Sequence, residues 1–159
     1  MVMALSRISK NLKELEDIRP KVRIEGLGVK FDLVVINYEK TVGLLKVSSK
    51  LNIEMSSNDF FVITESLGEV AVIASSKNIT RVERLAEAKF KSKFTDAIAI
   101  TLRFSEYYIK VPNVLYVFVS SLAVKRINIL EIVSTLTEVS LILHKKDMDE
   151  AVDVFKQFL

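Results

Sequence analysis

The chain has 159 residues, half of them apolar and 27% charged, with a formal net charge of +3, which allows one ordinary domain or two small ones leaning on each other. It has no cysteine and one histidine, excluding disulfides, thiolate metal sites, cysteine nucleophiles and any multi-histidine metal centre within one chain. The basic residues are scattered, which argues against nucleic acid, and the longest apolar run, residues 114–119, is far short of the roughly 20 that span a bilayer.

In chain order, Leu5, Ile8, Leu12 and Leu15 predict a short amphipathic helix within residues 1–19, a packing or dimerisation element. Residues 1–10 lack the apolar core of a signal peptide, so a cytoplasmic protein is expected. Residues 21–25 alternate as a short strand before Gly26-Leu27-Gly28, read as a turn. A strand is predicted over 31–38 and a helix over 41–51, with Leu44, Leu45, Ser48 and Leu51 on one face. Residues 60–64 and 69–74 flank Ser66-Leu67-Gly68 and read as an antiparallel hairpin. In the helix that follows, Ile79, Val82, Leu85, Ala86 and Phe90 recur at helical spacing, Asn78 or Thr80 serves as N-cap, and Glu83 can close a capping box on Thr80.

The same order then repeats. Ser66 to Ile73 aligns without a gap on Thr135 to Ile142, and the register continues as Val82, Leu85 and Ala86 meet Ala151, Val154 and Phe155. The second copy is predicted as a strand over 97–104, a helix over 112–126, strands over 129–135 and 138–144, and a helix over 148–158 capped by Asp147. Residues 113–119 are rich in strand-forming types, yet Pro112 suits a helix start and Leu115, Phe118, Val119, Leu122 and Ala123 follow helical spacing. On that reading Val114, Val117 and Val124 form a second apolar face for a sister copy or a second chain. The result is an α+β chain of two βαββαβ modules with antiparallel sheets, residues 20–95 and 96–159. The second copy ends without its closing strand, and the strand within residues 20–28 is expected to complete it, because open edges invite aggregation.

Three features have bland explanations. His144 ends a strand and reads as an edge histidine. Asp147, Asp149, Glu150 and Asp153 are helix-start carboxylates, so no metal site is expected. Lys89, Lys91 and Lys93, interleaved with Phe90 and Phe94, read as a solvated edge over core aromatics. No phosphate loop, nucleophile–base pair or metal cluster is visible, so neither catalysis nor a cofactor is expected. The βαββαβ plan also serves RNA-recognition modules, but their stacking rings are replaced here by Ile100, Leu102, Ser140 and Ile142, and by Val35, Val72 and Ile73.

Val111-Pro112-Asn113-Val114-Leu115, then Ile127-Asn128-Ile129-Leu130-Glu131-Ile132, then Ser134-Thr135, Glu138-Val139-Ser140-Leu141 and Met148-Asp149-Glu150-Ala151-Val152, resemble an ACT domain of the kind at the regulatory end of aspartate kinases. The whole chain resembles archaeal stand-alone proteins with ACT domains described as predicted regulators of amino-acid metabolism. The resemblance implies ferredoxin-like modules, helices on one face of each sheet, pairing side by side, as in a homodimer joined through sheet edges or helix faces. It also implies a small effector, commonly an amino acid, in the crevice between paired modules. Carried over by position, the ligand-binding candidates are Pro112, Asn113, Val114 and Leu115 in the loop, and Ile127, Asn128 and Ile129 at the strand start. The family prefers glycine where this chain has Asn113, and the first copy has Glu39-Lys40-Thr41-Val42-Gly43 in the corresponding region, with no proline. The alternative to an effector-binding regulator is a ferredoxin-like scaffold for a protein partner or single-stranded RNA.

Overall fold

The computed structural model describes residues 20–41 and 59–159. The expected helices of residues 1–19 and, but for Thr41, of residues 41–51 lie outside the described residues. The described elements are β1 (Ile24–Glu39), β2 (Phe61–Glu65), β3 (Glu69–Ser75), α1 (Ile79–Ala86), β4 (Phe90–Phe104), α2 (Val114–Val124), β5 (Ile129–Ser134), β6 (Glu138–His144) and α3 (Met148–Lys156). The strands form one antiparallel sheet in the order β2-β3-β1-β4-β6-β5.

Two strands are long enough to serve both repeats. Residues 33–39 of β1 pair with β3, whereas residues 24–30 pair with residues 99–104 of β4. Correspondingly, residues 90–94 of β4 pair with the later part of β1, and residues 97–103 pair with β6. Each half therefore has four strands in the same order, and the fourth strand of the second half lies ahead of the first half in the chain. The expected turn at Gly26-Leu27-Gly28 is instead the interior of β1, where no glycine has a positive φ. Pairing with Thr101, Leu102 and Arg103 gives this segment backbone partners that its composition alone does not announce.

Between the halves, Asp32 and Asp96 each adopt φ 54°, and the β1–β4 register slips on both sides of Leu33. Such bulges bend a strand and increase its twist. The sheet curls accordingly: Glu131 and Ile132 of β5 line one cleft with Thr64 and Glu65, although β5 and β2 are its opposite edges. Strand alternation then gives three cores. Ile98, Ile100, Leu102, Leu141 and Leu143 meet α2 and α3 through Phe118, Leu122, Ala151 and Phe155. Val34, Ile36, Tyr38, Val70 and Val72 meet α1 through Val82 and Ala86. The alternate residues Leu33, Val35, Ile73, Ala97, Ala99 and Ile142 form a third cluster on the faces away from the helices.

Several helix details differ from the sequence reading. α2 begins at Val114, after a turn containing Pro112 and Asn113, and buries Val114, Val117, Phe118 and Leu122. Its buried face is thus one residue out from the expected stripe, leaving Leu115 and Ala123 outward. Val114 and Val117 consequently belong to the core and only Val124 stays exposed, because the helix turns its bulkiest ring, Phe118, inward from either register. Phe90 opens β4 and is half-exposed instead of extending α1. Neither Asn78 nor Asp147 caps its helix by a side-chain hydrogen bond. Asn78 donates to Asp59 (3.0 Å), and Glu83 is drawn to Lys93 (2.7 Å).

Candidate functional site

The loop between β4 and α2 is built by a short 3-10 turn, Glu106–Lys110. Its start is fixed by Ser105, whose Oγ accepts from the Tyr107 N–H and whose carbonyl accepts from Tyr108. Tyr108 then anchors the turn twice. Its ring stands edge-on to Phe104, and its hydroxyl accepts from the Arg23 N–H (3.0 Å), just ahead of β1. The chain reverses at Asn113, at φ 67° and ψ 14°, the left-handed conformation that asparagine tolerates better than most residues. This conformation explains how asparagine can stand where the resembling family prefers glycine. Asn113 does not cap α2 with its side chain, and the first N–H groups of any helix lack intrahelical partners, so the start of α2 carries partial positive charge.

Beside that helix start is a cavity of about 240 Å³ lined by Phe104, Tyr108, Val114, Leu115, Phe118 and Val139, with the hydroxyls of Ser134 and Thr135 at the hairpin turn between β5 and β6. Ile109 and Leu136 also line it, and both expose much of their surface. The arrangement offers an apolar recess beside a positive helix end, suited to a small molecule with a carboxylate and an apolar part. Of the expected residues, Val114 and Leu115 line the cavity, while Pro112 and Asn113 lie exposed in the turn just before α2.

Ile127, Asn128 and Ile129 stand at the other end of α2. Ile127 is buried in the core and donates its N–H to Leu122, Asn128 is exposed, and Ile129 begins β5 opposite Leu143. Nine helical residues, 116–124, separate the two groups, about 14 Å, so one module does not bring them together. Reading the sequence missed Tyr108, Ile109 and Leu136 as cavity walls; the Tyr107-Tyr108-Ile109 run before Pro112 was the available signal.

The remaining candidate features are engaged elsewhere. Lys91 pairs with Glu69, and Lys93 pairs with Glu83 while lying 5.9 Å from the Phe90 ring centre. Asp153 pairs with Lys156 and Glu150 with Lys125, and among the described residues no cluster of His, Cys, Asp or Glu is placed to hold a metal. The His144 ring packs against Phe94 at 6.1 Å. No helix among the described residues is long and apolar enough to cross a membrane.

No family model matches this chain. No curated protein matches it in sequence. Solved structures match it in fold. Aspartate kinase of Clostridium acetobutylicum superposes with a TM-score of 0.69 at 17% identity, covering 86% of this chain and 35% of that one. The ligand-free regulatory subunit of aspartate kinase from Thermus thermophilus superposes with a TM-score of 0.68 at 15% identity, covering 86% of this chain and 98% of that one. E. coli aspartokinase III in complex with lysine and aspartate superposes with a TM-score of 0.62 at 12% identity, covering 86% of this chain and 33% of that one. The chain thus spans about a third of the whole kinases and nearly all of the separate regulatory subunit. Its α+β architecture, two ferredoxin-like modules sharing one curled antiparallel sheet, is that of the regulatory part of aspartate kinases.

Proposed function

We propose that this chain is a non-catalytic regulatory protein of the cytoplasm, two copies of which pair through their second modules and take an amino-acid effector between them. The observation that carries this reading is the outward face of α2. α2 contains no Asp, Glu, Lys or Arg, and the hydroxyls of Ser120 and Ser121 both donate to the Val117 carbonyl within the helix. Leu115, Tyr116 and Val124 remain exposed, at 44%, 43% and 78%. By contrast, α1 carries Arg81, Glu83 and Arg84, and α3 carries Asp149, Glu150, Asp153 and Lys156. An uncharged helix beside the open edge strand β5 suits self-association.

A two-fold axis that sets two α2 helices antiparallel puts the loop of one copy, Pro112 to Leu115, beside the strand start of the other, Ile127 to Ile129. The separation of the two groups within one module is what makes a second copy necessary. The helix start and loop N–H groups then face a carboxylate, and carbonyl groups at the strand start face an ammonium. The likeness to aspartokinase III in complex with lysine and aspartate supports this ligand class.

Thermal melts in the presence of each of the twenty amino acids test the proposal. An effector at about 100 times its dissociation constant adds roughly 2.7 kcal/mol and raises the midpoint by several degrees. Leu115→Glu is expected to convert a dimer to a monomer in sedimentation and to diminish the shift. If no amino acid moves the melt while Leu115→Glu still halves the mass, a partner-binding scaffold is the better account.

A further inference from the structure

We infer that the second module carries a separate recess for a zwitterionic amino acid, on the sheet face opposite its helices, between Arg103 and Glu138. Choosing an amino acid as ligand class rests on the proposal above, but the site is distinct from the α2 loop and needs no second copy. Arg103 and Glu138 are direct cross-strand partners of opposite charge, a geometry in which an ion pair is the ordinary outcome. Neither side chain forms an ion pair or hydrogen bond with a described residue. Both instead line a cavity of about 260 Å³ with Thr101, Gly26, Leu27 and Gly28. Its volume is below the roughly 300–1,000 Å³ typical of drug-sized ligands, which favours a small solute.

The walls have complementary chemistry. The Arg103 guanidinium lies along Gly26, where an added Cβ would sit 3.4 Å from Nη2, in ordinary van der Waals contact. A Cβ at Gly28 would meet nothing within 4 Å, so this position opens directly onto free space. Thr101 and Ser140, two pairs further along the same strands and so on the same face, share a hydrogen bond of 2.7 Å and offer hydroxyls of adjustable direction. A guanidinium takes a carboxylate bidentately, and Glu138 takes an ammonium, so a free amino acid bridges two charges that do not bridge each other.

The first module shows the contrast. There the residue facing Glu69 is Glu39, and Glu69 is held by Lys91. A neighbouring cleft of about 360 Å³ has Glu65, Glu69 and Glu131 on its walls, with Lys40 paired to Glu65 and Lys91 to Glu69. The cations beside that cleft are thus already paired, unlike Arg103.

The test is calorimetric titration of the full chain with the twenty amino acids, then with the N-acetyl and amide forms of any that bind. Arg103→Met, Glu138→Gln and Gly28→Val are the recess variants, all at surface positions, and Leu115→Glu is the loop control. The expected result is two binding events in the wild-type chain, one weakened about tenfold or more by each recess variant and by removing either charge of the ligand, the other removed by Leu115→Glu. Binding unchanged in the three recess variants but lost in Leu115→Glu overturns the recess and leaves the loop proposal standing. If the wild-type chain binds no amino acid, both fall.

Discussion

The two modules have the same strand order and, among the described residues, differ in the side chains placed upon it. The second packs a cluster of rings between sheet and helices, with Phe118 6.1 Å from Phe155 and 5.7 Å from Phe158. Among the described residues, the fully buried helix-side core of the first consists of valines, an isoleucine, alanines and one tyrosine, Tyr38, whose buried hydroxyl has no hydrogen-bond partner there. On its outer face the second has an opposite-charge pair where the first has two facing glutamates, while the matching helices α1 and α3 both carry charge. The same strand order thus carries different side chains in the two halves, and both proposed effector sites lie on the second.

The comparison can be broken at the strand the second module takes from the start of the chain. A chain beginning at Asp32 loses residues 24–30 as partners of β4 and is expected to lose the cooperative fold of the second half, whereas one beginning at Pro20 retains it. Amide hydrogen exchange on residues 97–104 distinguishes the two, and restored protection on adding a peptide of residues 20–31 identifies the missing strand. Next in size, Phe118→Ala is expected to cost about 3–5 kcal/mol in urea denaturation. Val82→Ala, in the smaller core, costs about 2 kcal/mol. Equal losses would erase the energetic distinction between the cores.

Tyr38 gives a smaller effect of opposite sign. Burial, with a lesser contribution from the Glu83 carboxylate, pushes its phenol up to about 12. The protonated phenol is neutral, and the unfolded chain ionises first, near 10, so stability is undiminished below that pH and falls by about 1.4 kcal/mol per unit between 10 and 12. Tyr38→Phe removes both the unpaired hydroxyl and this alkaline loss, and is expected to gain about 1 kcal/mol at neutral pH. Denaturation at pH 8 and pH 11 checks both parts. Smallest of all, Asn113→Gly keeps the left-handed turn and changes stability by less than about 0.5 kcal/mol, while Asn113→Ala costs about 1 kcal/mol. Equal melts for the two would show that the positive φ at the loop carries no strain.

Much of the frame was legible from residue patterns. The aligned hairpins, Ser66 to Ile73 and Thr135 to Ile142, fall on β3 and β6 and the turns before them. The segment of conflicting propensity before Lys125 is helical, as Pro112 and its spacing suggested. Its facing direction was not legible, because valines at positions 114, 117, 119 and 124 give almost equal apolar weight to neighbouring registers. The curl of the sheet left a signal that went unread: Leu33-Val34-Val35-Ile36 and Ala97-Ile98-Ala99-Ile100 are continuous apolar runs, as strands buried on both faces require. The loop candidates could be named from sequence, whereas Tyr108 and Leu136 reach the same cavity from segments on either side of α2 and β5.

The sequence by itself determined the duplicated strand and helix order, since period and turn chemistry are local properties. Only the tertiary structure decided that Gly26-Leu27-Gly28 is strand and not turn, that α2 leaves Leu115 outward, and that Arg103 and Glu138 line one recess. Each of these depends on which distant backbone or ring competes for the segment, and that competition has no trace in spacing along the chain.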